Sequence, residues 1–268
     1  MHTLTRLAVA AAAFAWLAGA AQAHEAWLKP SSTVLSKPDW ITVDAAVSTG
    51  VFFFDHVPLH TDGLQITAPD GSTLAPENVA RGKLRNVFDL HLDQPGTYRI
   101  AVVNGGVSAF YKDKATGQPR RWRGDAATLA SDIPADAQDL RVTESAGRVE
   151  TFATVGKPSP LAPIGKGLEL VPLTPLADLA QGEAARFALR LDGQPAAGVA
   201  VTVVREGTRY RDQVEPIRLT TGADGSFGLS WPQAGLYRLE ARATDQKTTT
   251  PLAKERRLNY AATLEVLP

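Results

Sequence analysis

Two segments of the chain lead into a strand by the same route. Asp93-Gln94-Pro95-Gly96-Thr97-Tyr98-Arg99-Ile100 and Pro232-Gln233-Ala234-Gly235-Leu236-Tyr237-Arg238-Leu239 share a Gly turn, one intervening residue, and a Tyr-Arg pair opening an apolar run. A tyrosine at the start of a late strand, bonding back across a corner, is typical of immunoglobulin-like sandwiches. Two copies about 140 residues apart point to two sandwiches. The intervening text agrees. Trp40–Val47 alternates, with Ile41, Val43, Ala45 and Val47 on one face. Val87–Leu92 sets Phe88, Leu90 and Leu92 against Val87, Asp89 and His91. Leu64–Ala68 runs into Pro69-Asp70-Gly71, a turn with glycine where positive φ is needed. Strand-and-turn grammar continues through Arg186–Leu191, Gly198–Val204 and Thr221–Phe227. Helical periods are nearly missing, and the best candidate, Asp125–Ser131, is short. Arg120-Arg121-Trp122-Arg123 reads as a basic loop.

The predicted fold is all-β: two immunoglobulin-like β-sandwich domains in tandem after a cleaved signal peptide. The Pro-rich stretch Gly156-Lys157-Pro158-Ser159-Pro160-Leu161-Ala162-Pro163 reads as an extended linker. It separates an N-terminal sandwich with histidine-containing loops, residues 24–157, from a C-terminal sandwich, residues 158–268.

Residues 1–23 read as the leader. Arg6 is its basic residue, Leu7–Ala21 is almost wholly apolar, and Ala21-Gln22-Ala23 is an A-x-A cleavage triplet. Cleavage after Ala23 makes His24 the first residue of an exported, periplasmic protein. The α-amine and imidazole of an N-terminal histidine can chelate one transition metal together. Other ligand chemistries are closed off. Cysteine is absent and the one methionine is Met1, so thiolate and thioether ligation are excluded, as is a lipid anchor on cysteine. Lys plus Arg equals Asp plus Glu at 28 each, so no basic excess is available to hold nucleic acid. No stretch after the leader approaches the ~18 apolar residues of a membrane span.

The remaining histidines of the mature chain, His56, His60 and His91, also fall in its first 68 residues. His56 and His60 flank Val57-Pro58-Leu59, where proline makes a helix unfavourable, so they form a loop pair. Asp55 and Asp62 are placed to orient the imidazoles or to ligate directly. His24, His56, His60 and His91 are therefore the candidate metal ligands. Each has a plainer role open to it: a polar residue beside a cleavage point, a loop histidine capping backbone, or, for His91 beside Asp89, a solvated strand position. The second half holds no histidine and reads as a structural or docking module.

Several segments carry a family resemblance: His24-Glu25-Ala26-Trp27-Leu28-Lys29-Pro30-Ser31, Ile66–Gly71, Leu168-Glu169-Leu170-Val171-Pro172-Leu173 and Asp192–Val199. They resemble the DUF4198 family, whose members open on a His, an acidic residue and a Trp-Leu pair. That family is similar to proteins described as periplasmic components of cobalt or nickel uptake, which implies metal binding. Many members place a Gly-His pair after the first long strand, whereas here Val51–Asp55 separates Gly50 from His56.

Enzyme signatures are missing: there is no G-x-S-x-G elbow, P-loop, H-E-x-x-H, or G-x-G-x-x-G at a strand–helix turn. The expected function is that of a periplasmic metal-binding protein, not an enzyme. It would handle nickel, cobalt or copper, with zinc also compatible with nitrogen donors, in uptake or homeostasis. Its expected partners are the metal ion and a membrane transporter or receptor. Two alternatives stand beside it: a structural, carbohydrate-binding or partner-binding sandwich without metal, and a copper enzyme resembling the N-terminal histidine brace of polysaccharide monooxygenases.

Overall fold

The first half of the chain runs through β1 (Glu25–Pro30), β2 (Val34–Leu35), β3 (Asp39–Ser48), β4 (Val57–Pro58), β5 (Leu64–Thr67), β6 (Thr73–Leu74), β7 (Glu77–Arg81), β8 (Asn86–Leu92), β9 (Gly96–Lys112), β10 (Pro119–Gly124) and β11 (Gln138–Val155). The second half adds β12 (Leu168–Pro172), β13 (Ala184–Leu191), β14 (Gln194–Pro195), β15 (Ala200–Arg205), β16 (Ile217–Thr220), β17 (Ser226–Ser230), β18 (Gly235–Asp245) and β19 (Ala253–Val266). These elements come from a computed structural model that describes residues 24–268; the expected leader and its cleavage triplet lie outside the described residues. Strands hold 56% of the described residues and helix 4%, so the protein is an all-β sandwich. No helix among the described residues is long and apolar enough to cross a membrane.

Three sheets build it. One has the order β1-β3-β8-β7, with β4 also on β3. A second has the order β12-β13-β14, with β17 on β13. Between them runs a ten-stranded sheet, β16-β15-β18-β19-β11-β9-β5-β6, which also carries β10 and β2. The first small sheet covers one end of the large sheet, enclosing Leu28, Ile41, Phe88, Tyr98 and Ile100 among others. The second covers the other end, enclosing Phe187, Trp231, Tyr237, Leu239 and Tyr260. The two halves therefore share a layer. They meet where β11 runs parallel to β19, from Val142↔Ala253 to Thr151↔Thr263.

Local pattern explains most strands. Ile41, Val43 and Ala45 are buried along β3 while Trp40 and Thr42 are exposed. The alternation then fails, because Ala46 is buried too. A seam cluster of Trp27, Ala46, Val51, Phe52, Val204 and Leu236 covers the opposite face there and joins the two halves. Both tyrosines of the repeat close corners: Gln94 N donates to the Tyr98 hydroxyl at 2.7 Å, and the Tyr237 hydroxyl donates to Gln233 O at 2.7 Å.

Two local readings change. Arg120–Arg123 forms strand β10 on the edge of β9 rather than a loop. Its arginines carry no apolar alternation to reveal this, and only half-buried Trp122 joins a cluster, packing near Leu129 and Ile133. The helical candidate shrinks to one turn, Leu129–Asp132.

Candidate functional site

The site lies at the far end of β3. Glu25 pairs with Ser48, so His24 sits just beyond the end of this strand. On the other edge of β3, Val57 pairs with Val47, so His56 immediately precedes β4. The two rings stack face to face, centroids 3.6 Å apart and planes within 5°. Residues 32 positions apart in sequence are thus brought into direct contact.

The loop carrying His56 is held from beneath. Trp27 Nε1 donates to Ser48 Oγ at 2.7 Å, and Ser48 Oγ donates to Gly50 O at 2.6 Å. Thr49 N donates to Asp55 Oδ1 at 2.9 Å, closing the loop just before His56. Phe52 takes φ 63°, a left-handed conformation that costs a non-glycine residue of the order of 1 kcal/mol or more. That turn lets Phe52 and Phe54 both pack on Trp27, each 5.4 Å away between centroids. Phe53 is left to meet Tyr210 and Arg209 of the second half. The run of three phenylalanines therefore anchors the loop.

The other histidines stand apart from this pair. His60 is exposed and follows Leu59, whose N donates to Ala45 O at 3.2 Å. Four extended residues carry it up to about 13 Å along the strand from His56. His91 lies opposite Trp40 across the β3–β8 pair. Its ring is 4.9 Å from that indole. Trp40 is eight residues from Ser48 along β3, or about 26 Å, so His91 belongs to the other end of the sheet. The carboxylates do not orient an imidazole: Asp55 accepts from Thr49, and Asp62 faces Arg81 at 3.7 Å.

Parallel rings stacked this closely aim their nitrogens along parallel lines. One ion held in both ring planes requires one ring to turn out of the stack. Both side chains are exposed, so that turn disrupts no buried contact. Among the described residues no group of three or more His, Asp and Glu side chains could hold a metal. A third donor beside His24 and His56 must therefore come from the main chain or from solvent.

Behind His24 lies a basic pocket of about 170 Å³, with Arg148, Arg238 and Arg242 on its walls. Arg238 is buried; it donates to Ala26 O at 3.1 Å and to Glu240 Oε2 at 2.6 Å, tying β18 to β1. Burial raises the Glu25 carboxyl above its ordinary pKa, with Arg238 opposing. One Glu25 oxygen is buried without a hydrogen-bond partner. Deeper in the seam, fully buried Glu150 accepts from Arg148 Nε at 2.6 Å and from the Tyr260 hydroxyl. Desolvation, then the Glu150 charge, pushes the Tyr260 pKa well up. None of these arginines stands out in the sequence. The only signal is that the Tyr-Arg repeat places Arg99 and Arg238 at the same inward position of two matching strands.

The fold and site define a β-sandwich protein of shared-sheet construction with a histidine pair at the tip of its first long strand. The chain matches DUF4198, a domain of unknown function, over residues 21–245, and belongs to that family. No curated protein matches it. Among solved structures, trypsin-activated alpha-2-macroglobulin from Escherichia coli aligns at 12% identity and TM-score 0.23, covering 92% of this chain and 16% of that one. The D0-D1 domain of intimin aligns at 10% identity and TM-score 0.24, covering 90% and 97%. A DUF4785 family protein from Legionella pneumophila aligns at 8% identity and TM-score 0.24, covering 89% and 55%. These scores are too low to establish a common fold.

Proposed function

We propose that the protein is exported, binds one divalent transition metal at its N-terminal edge, and handles nickel, cobalt or copper in uptake or homeostasis. The observation that carries the proposal is the stacking of His24 on His56 at 3.6 Å. Cleavage after Ala23 supplies the third nitrogen, the His24 α-amine, from the same residue as one of the rings. Two imidazoles and an amine suit copper, nickel, cobalt or zinc rather than magnesium or calcium. Copper binds most tightly in vitro whatever the cargo, because affinity follows the Irving–Williams order. The donors must be unprotonated to ligate, so affinity falls as pH drops. The seam-anchored loop holds the His56 backbone beside His24, so binding asks one exposed ring to turn but no rearrangement of the loop.

Calorimetry with nickel and copper on three proteins tests this: the chain starting at His24, the same chain with one residue added before His24, and His56→Ala. The extension converts the amine to an amide. It and the alanine substitution should each weaken binding at least tenfold. Equal affinity in all three overturns the proposal. The same donor set also favours a second reading, a copper enzyme. Reductant-driven oxygen consumption by the copper-loaded protein, lost in His56→Ala, would select it.

A further inference from the structure

The Pro-rich segment after β11 does more than connect. Pro158, Pro160 and Pro163 have no N–H to give to a sheet and hold φ near −65°, so the segment stands off as a strap. It is pinned at both ends. Thr97 N donates to Ser159 Oγ at 3.0 Å. Further along, Arg99 Nη1 donates to Ala162 O at 2.8 Å. Glu169 accepts from Ile164 N at 2.6 Å and Gly165 N at 3.1 Å. Between strap, β12 and the turn at Pro175–Leu176 lies a cavity of about 430 Å³. That is within the range of small-molecule sites.

Its walls are mostly apolar, with Leu161, Leu173 and Leu176 among the prolines. Three charged groups interrupt them: Arg99, Glu169 and Arg190. Glu169 is buried, and both its oxygens are engaged by the strap. Arg99 is buried between Glu150 at 3.7 Å and Glu169 at 3.9 Å, yet its Nε has no hydrogen-bond partner. Arg190 faces Glu169 across the β12–β13 pair. It is half-buried and, among the described residues, forms no ion pair. The cavity thus joins an apolar body to a half-buried guanidinium that, among the described residues, is held in no ion pair.

We infer that this cavity is a second binding site, separate from the histidine pair, for a small amphiphilic anion: a carboxylate or sulfonate head on Arg190 and an apolar ring or chain beneath the strap. Guanidinium matches such a head in geometry as well as charge.

Fluorescence titration of the chain from His24 onward with two naphthalene dyes tests it. Anilinonaphthalene sulfonate is the anion, and phenylnaphthylamine is its neutral counterpart. The anion should bind about tenfold more tightly than the neutral dye, the factor expected for a charge-assisted bond at a partly exposed site. Arg190→Gln should abolish that preference while leaving the neutral dye unaffected. Leu161→Trp, which fills the cavity from a half-buried position on the strap, should weaken both dyes, with its thermal unfolding curve reporting that the chain remains folded. Equal binding of both dyes by the unsubstituted protein overturns the inference. So does unchanged binding in a folded Leu161→Trp. Metal affinity should be untouched by either substitution, so failure here and failure of the metal proposal are separate results.

Discussion

Glu150→Gln is the sharpest probe of the shared sheet. Glu150 is 0% exposed and lies on β11, one of the two strands that join the halves. Its charge faces Arg148, 11% exposed, at 2.6 Å and Arg99, 8% exposed, at 3.7 Å, while Tyr260 of β19 donates to it. The amide keeps the shape and removes the charge, leaving two buried guanidiniums with one counter-charge fewer. Breaking a buried pair from one side costs about 3–5 kcal/mol. In a chain of this size each kcal/mol shifts the melting temperature by roughly 2–4 °C. Differential scanning calorimetry should therefore show a fall of about 6–20 °C. Tyr260→Phe removes one donor to the Glu150 carboxylate and leaves Arg148 in place, so it should cost less, about 1.5–3 kcal/mol. Because Glu150 and Tyr260 sit on opposite sides of the join, both halves should melt together in each variant. A Glu150→Gln shift under about 2 °C would refute the charge network. Two resolved transitions, with only one moved, would refute the coupling through β11 and β19.

Two further outcomes follow from charged groups elsewhere. Arg256 grips Asp192 at 2.6 Å and also binds Asp245; this hydrogen bonding holds both carboxyls below their ordinary pKa. A depressed carboxylate stabilises the fold above its unfolded pKa and loses that contribution as pH falls through the folded one. The melting-temperature gap between the unsubstituted protein and Asp192→Asn should thus be widest near pH 7 and close toward about pH 3; a gap that widens in acid would contradict it. Glu25 has the opposite sign: burial raises its pKa, so its ionised form destabilises the fold at neutral pH and protonation relieves this. Glu25→Gln should raise the melting temperature near pH 7, with the advantage vanishing in acid. A loss of stability at neutral pH would show that the Arg238 attraction outweighs burial.

Much of the sandwich was legible because its strands obey period two. The pattern Ile41-x-Val43-x-Ala45 and the series Phe88, Leu90, Leu92 each mark one buried face, and the Tyr98 and Tyr237 corners follow from the repeat. The sharing of one sheet was not legible. Pairing between β11 and β19 links residues more than 100 positions apart through backbone groups every residue carries, so no side-chain pattern announces it. The great length of β9 and β11 was hidden for a related reason. Their outer ends cover only a small satellite cluster, and Asn104-Gly105-Gly106 interrupts the apolar alternation. At the site, histidine clustering in sequence drew attention to four residues, but strand geometry decides which of them meet. His24 and His56 flank the same end of β3, whereas His91 pairs near its beginning. The cavity beneath the strap left a sequence trace only as prolines, which read equally well as a linker.

The central claim is that His24, through both its amine and its ring, shares one metal ion with His56. The most direct measurement is anomalous diffraction at the nickel edge from crystals of the chain beginning at His24, grown with equimolar nickel. The expected result is a single strong peak about 2.0–2.1 Å from the His24 amine, a His24 ring nitrogen and a His56 ring nitrogen, a usual distance for metal–imidazole bonds. A peak elsewhere, or none at this end of β3, would contradict the account.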